Sequence, residues 1–168
     1  DFPVNRGPAK NIVPYMSGDQ RNLEPIMSNS ESIKQFGNNA YGKPATGLNI
    51  MRETIMGREL FDHAFKVYAN RWKFKHPTPN DFIRIAEKVS GAQLGWYLMD
   101  WTLTTNTVDY AVNNVAEENG QTKVKLERKG NIPMPVEVKV SYADGTSEMI
   151  YIPLRMMRWT KPAGENTS

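Results

Sequence analysis

The spacing of apolar residues along this chain changes once. Up to about residue 104 they recur every three or four positions, and beyond Thr105 they recur at every second position. The first spacing is that of helices with one buried face, the second that of strands in a half-wet antiparallel sheet. The expected fold is α+β: an all-helical lobe over residues 28–104, then an antiparallel, sandwich-like β segment over residues 105–160. An extended arm at 1–27 and a loose tail at 161–168 flank them.

The arm is read from Pro3, Pro8, Pro14 and Pro25 among few apolar positions. Asn29-Ser30-Glu31-Ser32 then offers cap residues for one or two helical turns through Ile33 and Phe36, which Gly37-Asn38-Asn39 would end. Pro44 suits a first helical position, because its missing N–H would be unpaired there and its φ is already helical. The next helix is therefore expected to start there, with Tyr41 and Lys43 at its entrance. Its apolar set is Leu48, Met51 and Ile55, with Ile50 and Met56 on another side, the pattern of a buried helix.

Gly57 breaks that helix from one carrying Leu60, Phe61, Ala64, Phe65, Val67, Tyr68 and Trp72 as a wide stripe. At ~1.5–3 kcal/mol for each buried aromatic, this helix reads as the main wall of the core, with Trp72→Ala among the most damaging changes. Thr78-Pro79-Asn80-Asp81 has the form of a capping box with proline at the first helical position. It opens a helix that buries Phe82, Ile83, Ala86 and Val89 and ends at Ser90-Gly91, and Leu94, Tyr97, Leu98 and Trp101 make one more short helix.

In the second half Val108, Tyr110 and Val112 alternate with polar neighbours, as do Val124 and Leu126, then Val136 to Tyr142, then Ile150, Ile152 and Leu154. Asn119-Gly120, Gly130-Asn131 and Asp144-Gly145 supply turns. One antiparallel sheet with a wet face is expected. Four strands are few for a free-standing sandwich, so a covering layer is implied.

Composition adds limits. With 168 residues, 39% hydrophobic, and four Trp, seven Tyr and six Phe, the chain can build a real core. Its net charge of +3 sits in residues 1–104, which hold 13 basic and 10 acidic side chains, too even a balance for a nucleic-acid surface. Arg71-Trp72-Lys73-Phe74-Lys75-His76 interleaves bases with aromatics, but cations also suit a helix C-terminus. No apolar run nears the ~18 residues needed for a membrane span, so no membrane insertion is expected. Without cysteine there are no disulfides, thiolate nucleophiles or Cys-ligated zinc. His63 and His76 lie 13 apart with no H-E-x-x-H, and His63 falls among core positions as a packed or edge residue. Glu53 and Glu59 read as solvated helix faces. There is no G-x-S-x-G and no phosphate-cradling glycine loop.

The order Pro25-Ile26, Tyr41-x-Lys43, Met56-Gly57-x-Glu59-x-Phe61, Tyr68, Trp72-x-Phe74, Pro77-Thr78-x-x-Asp81-Phe82, Ser90-Gly91-x-x-Leu94-x-Trp96 and Trp101 resembles the gluzincin aminopeptidases. These are the zinc enzymes of the membrane alanyl aminopeptidase and leukotriene hydrolase type. The likeness covers roughly residues 23–104 and extends through Leu126-Glu127-Arg128-x-Gly130 and Met134-Pro135-Val136 into the β part. It implies the C-terminal lobe of a thermolysin-like catalytic domain and the start of the β domain behind it. It also implies a parent enzyme that hydrolyses peptides from the amino terminus with a zinc-activated water.

By that resemblance Tyr41 matches the tyrosine whose hydroxyl stabilises the oxyanion. Lys43 matches the motif's lysine as a binding or turn-orienting residue. Pro44 stands where the family often has glycine, which stiffens the turn. The zinc ligands belong to an upstream part of the same polypeptide, so this chain is expected to hold no metal and to be inactive alone. A non-catalytic scaffold that has lost its metal, or an interaction module, are the alternative readings.

Overall fold

In the computed structural model, which describes residues 9–158, the helix expected to begin at Pro44 already runs through Tyr41. This helix, α1, has three parts: a π-helical turn Gly37–Gly42, an α-helical stretch Lys43–Ile50 and a second π-helical turn Met51–Ile55. In the wide turns the amide of Lys43 donates to the Asn38 carbonyl and that of Met56 to the Met51 carbonyl at 2.9 Å. Proline explains the first of them. In a regular α-helix the Pro44 ring would strike the carbonyl four residues back, and no N–H would bond it. Widening the preceding turn relieves both faults. Gly37-Asn38-Asn39 thus forms the first turn of α1, where a helix end was expected, and residues 31–35 make turns in place of the helix expected there.

The residues just ahead of α1 are held from a distance. The Glu24 carboxylate accepts the N–H groups of Lys34 and Gln35 at 2.9 and 3.2 Å. The described part of the expected arm is not extended. It folds as helical turns at Ala9–Ile12, Val13–Met16 and Gln20–Asn22, held by the buried side chains of Ile12 and Leu23. A fixed proline φ serves a first helical turn as well as it serves extended chain. The expected tail at 161–168 lies outside the described residues.

After Gly57, at φ 82°, helix α2 runs Arg58–Trp72. Helix α3 is Pro79–Ser90, and the Asp81 carboxylate accepts both the amide and the hydroxyl of Thr78 at 2.8 Å. Gly91, at φ 70°, ends it. Helix α4 is Gly95–Leu103, and its first amides, those of Leu94 and Gly95, donate to Glu87 at 2.7 and 3.0 Å.

The core of this unit is built by α1, α3 and α4 more than by α2. Met51, Phe82, Ile83, Ile85, Ala86, Leu94, Tyr97 and Trp101 are buried, whereas α2 buries only Phe61 and Ala64. Leu60, Phe65 and Val67 are 42%, 44% and 36% exposed, and Trp72 is half-buried. The expectation that α2 is the main wall, and that Trp72 is a key residue, is therefore corrected. Alternation of apolar residues finds a stripe but not how much of it a neighbour covers. Here α2 meets α3 through Phe61, Phe65 and Tyr68, grouped around the Phe82 ring with centroids 6.0, 6.0 and 5.3 Å away, and leaves the rest of its stripe open.

The chain divides between Asn106 and Thr107 into two compact units. The second holds two separate hairpins, not the single expected sheet. Strand β1 (Tyr110–Glu118) pairs antiparallel with β2 (Gln121–Arg128), and β3 (Val136–Ser141) with β4 (Ser147–Ile152). Asn119 and Gly120, at φ 53° and 73°, close the first hairpin with the twist that antiparallel strands favour. A bulge at Asn113 shifts its register, between the pairs Val112–Leu126 and Asn114–Lys125.

Gly130-Asn131 lies in the link between hairpins. That link is the buried part of the unit, with Ile132 at 0% and Met134 at 6% exposure. The Tyr110 hydroxyl ties it down, accepting the Met134 amide at 2.7 Å and donating to its carbonyl at 3.2 Å. Val112, Val115 and Ile150 are exposed, and Leu154, expected in a strand, begins a short helical turn Leu154–Arg158 after Pro153. Among the described residues no helix is long and apolar enough to cross a membrane.

Candidate functional site

The first π-helical turn of α1 presents two faces. On the inner one stand Asn39 and Lys43, four residues apart and 0% and 1% exposed. On the outer one stands Tyr41, which is 50% exposed and meets the Phe36 ring edge-on, centroids 5.6 Å apart. Tyr41 borders a cleft of about 570 Å³ whose other walls include Asn11, Asn38, Thr46 and Asn49. The wall mixes these polar groups with apolar ones, Ala9, Ile12 and Ala45, and carries no charged side chain. Thr46 turns its hydroxyl back to the Gly42 carbonyl at 2.9 Å, which stiffens the same turn.

Lys43 enters the interior. Its ammonium donates to the carbonyls of Thr104 and Glu24 at 3.0 and 3.3 Å and stands 6.0 Å from the centre of the Trp101 ring. No carboxylate is paired with it among the described residues. Burial pushes it down to about 8, since the charged form loses water and gains only carbonyl dipoles in return. Asn39 donates its amide N–H to the Pro25 carbonyl at 2.7 Å, and its side-chain oxygen is buried without a donor among the described residues.

Behind this face α4 is bolted to α1. The Trp101 indole N–H donates to the Lys43 carbonyl at 2.8 Å and the Tyr97 hydroxyl to the Gly47 carbonyl at 2.7 Å. The two rings stack at 6.0 Å. Burial pushes the Tyr97 phenol up, so it stays a donor. A separate, apolar pocket of about 240 Å³ lies between α1 and the other helices, lined by Leu48, Phe65, Tyr68, Phe82, Leu98 and Trp101.

Both residues singled out in sequence, Tyr41 and Lys43, thus share one turn but face opposite ways: Tyr41 to a cleft, Lys43 to the interior. Sequence reasoning missed Asn39, Glu24 and Trp101. The four-residue spacing of Asn39 and Lys43 was the available signal, because it puts both on one helix face. His63 and His76 are exposed, which for His63 leaves the edge position of the two expected. Among the described residues no three His, Cys, Asp or Glu side chains converge. Glu53 belongs to a surface ion-pair network with Arg52 and Arg58, both at 2.8 Å, and Arg52 also grips Asp62 at 2.7 Å.

No family model matches the chain. Among curated proteins, the probable aminopeptidase 2 of Sulfurisphaera tokodaii is 29% identical to it over 134 residues. The chain is similar to an aminopeptidase. The match covers 71% of this chain and 17% of the relative, so the chain spans about a sixth of the length of the protein it matches.

Proposed function

We propose that this chain is part of a zinc-dependent aminopeptidase of the gluzincin type and that Tyr41 stabilises the oxyanion of its tetrahedral intermediate. One observation carries the reading: a half-exposed phenol stands at an uncharged cleft, on a turn whose other face is fixed to the interior. A hydroxyl held this way meets developing negative charge without reorganising, which is the requirement for transition-state stabilisation. The similarity to an archaeal aminopeptidase supports the same reading. Among the described residues no three His, Cys, Asp or Glu side chains come together, so they do not fit a zinc site. In this reading metal and water activation belong to other parts of the parent polypeptide, and the peptide's amino terminus is recognised there too.

What this chain contributes is one donor and its support. The hydroxyl of Tyr41 donates to the oxygen that gains charge as the peptide carbonyl becomes tetrahedral, and Lys43 and Asn39 hold the turn from inside. The test is Tyr41→Phe in the full-length enzyme. Turnover is expected to fall ~10²–10³-fold, with KM little changed, because the lost hydrogen bond exists only in the transition state. Unchanged turnover in a folded variant removes Tyr41 from the mechanism.

A further inference from the structure

We propose that Lys43 and Asn39, together with the Glu24-Pro25 strap they hold, are positioning residues that fix the direction in which Tyr41 is presented. This rests on the role given to Tyr41 above. The two inner side chains take consecutive backbone carbonyls of one strap, Lys43 that of Glu24 at 3.3 Å and Asn39 that of Pro25 at 2.7 Å. The strap returns the contact, because the Glu24 carboxylate caps the amides of Lys34 and Gln35 just ahead of α1. Lys43 also reaches the Thr104 carbonyl at 3.0 Å, at the end of α4, and beyond Pro25 the strap itself donates from Met27 to Thr102 at 3.0 Å. The turn that carries Tyr41 is thus tied at its start and at two inner positions, and Tyr41 lies midway between those two on the opposite side.

Stability alone does not account for these residues. An ammonium buried without a counter-ion is costly, and burial lowers its proton affinity, to about 8. The Asn39 side-chain oxygen is buried with no donor among the described residues, a second cost. Methionine and leucine would fill the same space without either penalty. Apolar packing, however, is non-directional, and it would leave the turn held by one directional bond from α4, that of the Trp101 indole to the Lys43 carbonyl. Hydrogen bonds to three named carbonyls fix the roll of the turn about its axis, and with it the Tyr41 ring.

The experiment uses this chain with tyrosines carrying a ¹³C label at the ring carbon that bears oxygen, the Tyr41 signal being assigned by its loss in Tyr41→Phe. In Lys43→Met the melting temperature is expected to stay or to rise. The Tyr41 signal alone should move toward the free-tyrosine position, and the Phe36–Tyr41 ring cross-peak should fall by half or more. Glu24→Gln, a change at a half-buried site that keeps the fold, should move the same signal in the same direction by a smaller amount. A Tyr41 signal and cross-peak at their wild-type values in Glu24→Gln and in a folded Lys43→Met overturn the proposal. In the full-length enzyme, Lys43→Met is expected to lower kcat about tenfold with KM unchanged, and equal loss in both parameters overturns it as well. The ring readout does not depend on the turnover of Tyr41→Phe: if that variant keeps its turnover while Lys43→Met still moves the ring, the catalytic reading fails and the positioning stands.

Discussion

At Gly47 the Trp101 indole of α4 lies directly against α1, and Gly47→Ala sets two effects of opposite sign against each other. In an exposed helix the change should stabilise by ~1 kcal/mol, since alanine is the better helix former. Here a Cβ on residue 47 would stand 2.1 Å from the Trp101 indole nitrogen and 2.4 Å from its neighbouring ring carbon. No rotamer change at an alanine can relieve this, so the indole must move. Overpacking of this kind costs ~1–3 kcal/mol. Moving the indole also breaks its 2.8 Å bond to the Lys43 carbonyl. A buried donor left unpaired costs another ~1–3 kcal/mol. Crowding wins over propensity by about 3 kcal/mol, which for a helical unit of roughly one hundred residues lowers Tm by ~12–24 °C. Thermal unfolding followed by near-ultraviolet circular dichroism reads the helical unit through its tryptophans. In a Trp101→Phe background, where the nitrogen is gone, the same substitution should cost clearly less, which isolates the contact. A Tm that is unchanged or higher in Gly47→Ala would mean that the close approach of the two helices is wrong and propensity decides.

Two further outcomes follow from Lys43 and from the donor set. With a folded-state value of about 8 against an ordinary 10.5, Lys43 is already neutral in the folded chain, between those pH values, while the unfolded chain still binds the proton. Its contribution to stability therefore rises as pH climbs from about 8 towards 10.5 and is lost again as pH falls through 8. Tyr97, shifted the other way, opposes it only at higher pH. Denaturant titrations should show wild type gaining on Lys43→Met between pH 8 and 10, and a difference that does not vary with pH contradicts the buried ammonium. Metal analysis of this chain after dialysis against zinc should find well under one equivalent, and a tight equimolar site would contradict the assignment of the zinc to other parts of the parent.

Features that follow from a few adjacent residues were legible in the sequence. The α3 start is written in Thr78-Pro79-Asp81 and its end in Gly91, and the hairpin turns in Asn119-Gly120 and Asp144-Gly145. Each is decided by local dihedral preference and a bond across three or four residues. What was not legible depends on distant partners. Glu24 holds the amides just ahead of α1 from ten residues upstream of Lys34, so the start of α1 could not be placed from its own residues. Pro44 was read as a boundary because the widened turn that accommodates it leaves no mark in the pattern. The stripe on α2 has the right spacing, yet spacing does not say that Leu60, Phe65 and Val67 stay exposed. Alternation likewise located the four strands but not their ends, since Val108 and Leu154 fall outside them, nor which strands pair, and two hairpins satisfy it as well as one sheet. At the site, Tyr41 and Lys43 stood out by motif, but their opposite directions follow from the helix they share.

The seven residues from Gly37 to Lys43 concentrate features that a stable core avoids. They include a π-helical turn, a buried ammonium without a carboxylate and a buried amide oxygen without a donor among the described residues. The surrounding interior is otherwise apolar or satisfied: Tyr97 and Trp101 each spend their one donor on a backbone carbonyl, and Met51, Leu94 and Ala86 carry no polar side-chain group. Costs of this kind persist where neighbouring structure over-determines the conformation, and they gather where geometry matters more than stability. The alternative, that the turn is wide only to admit Pro44, accounts for the backbone. It leaves the lysine and the asparagine unexplained, because a proline needs neither. A role for Tyr41 that demands a fixed direction explains all three together.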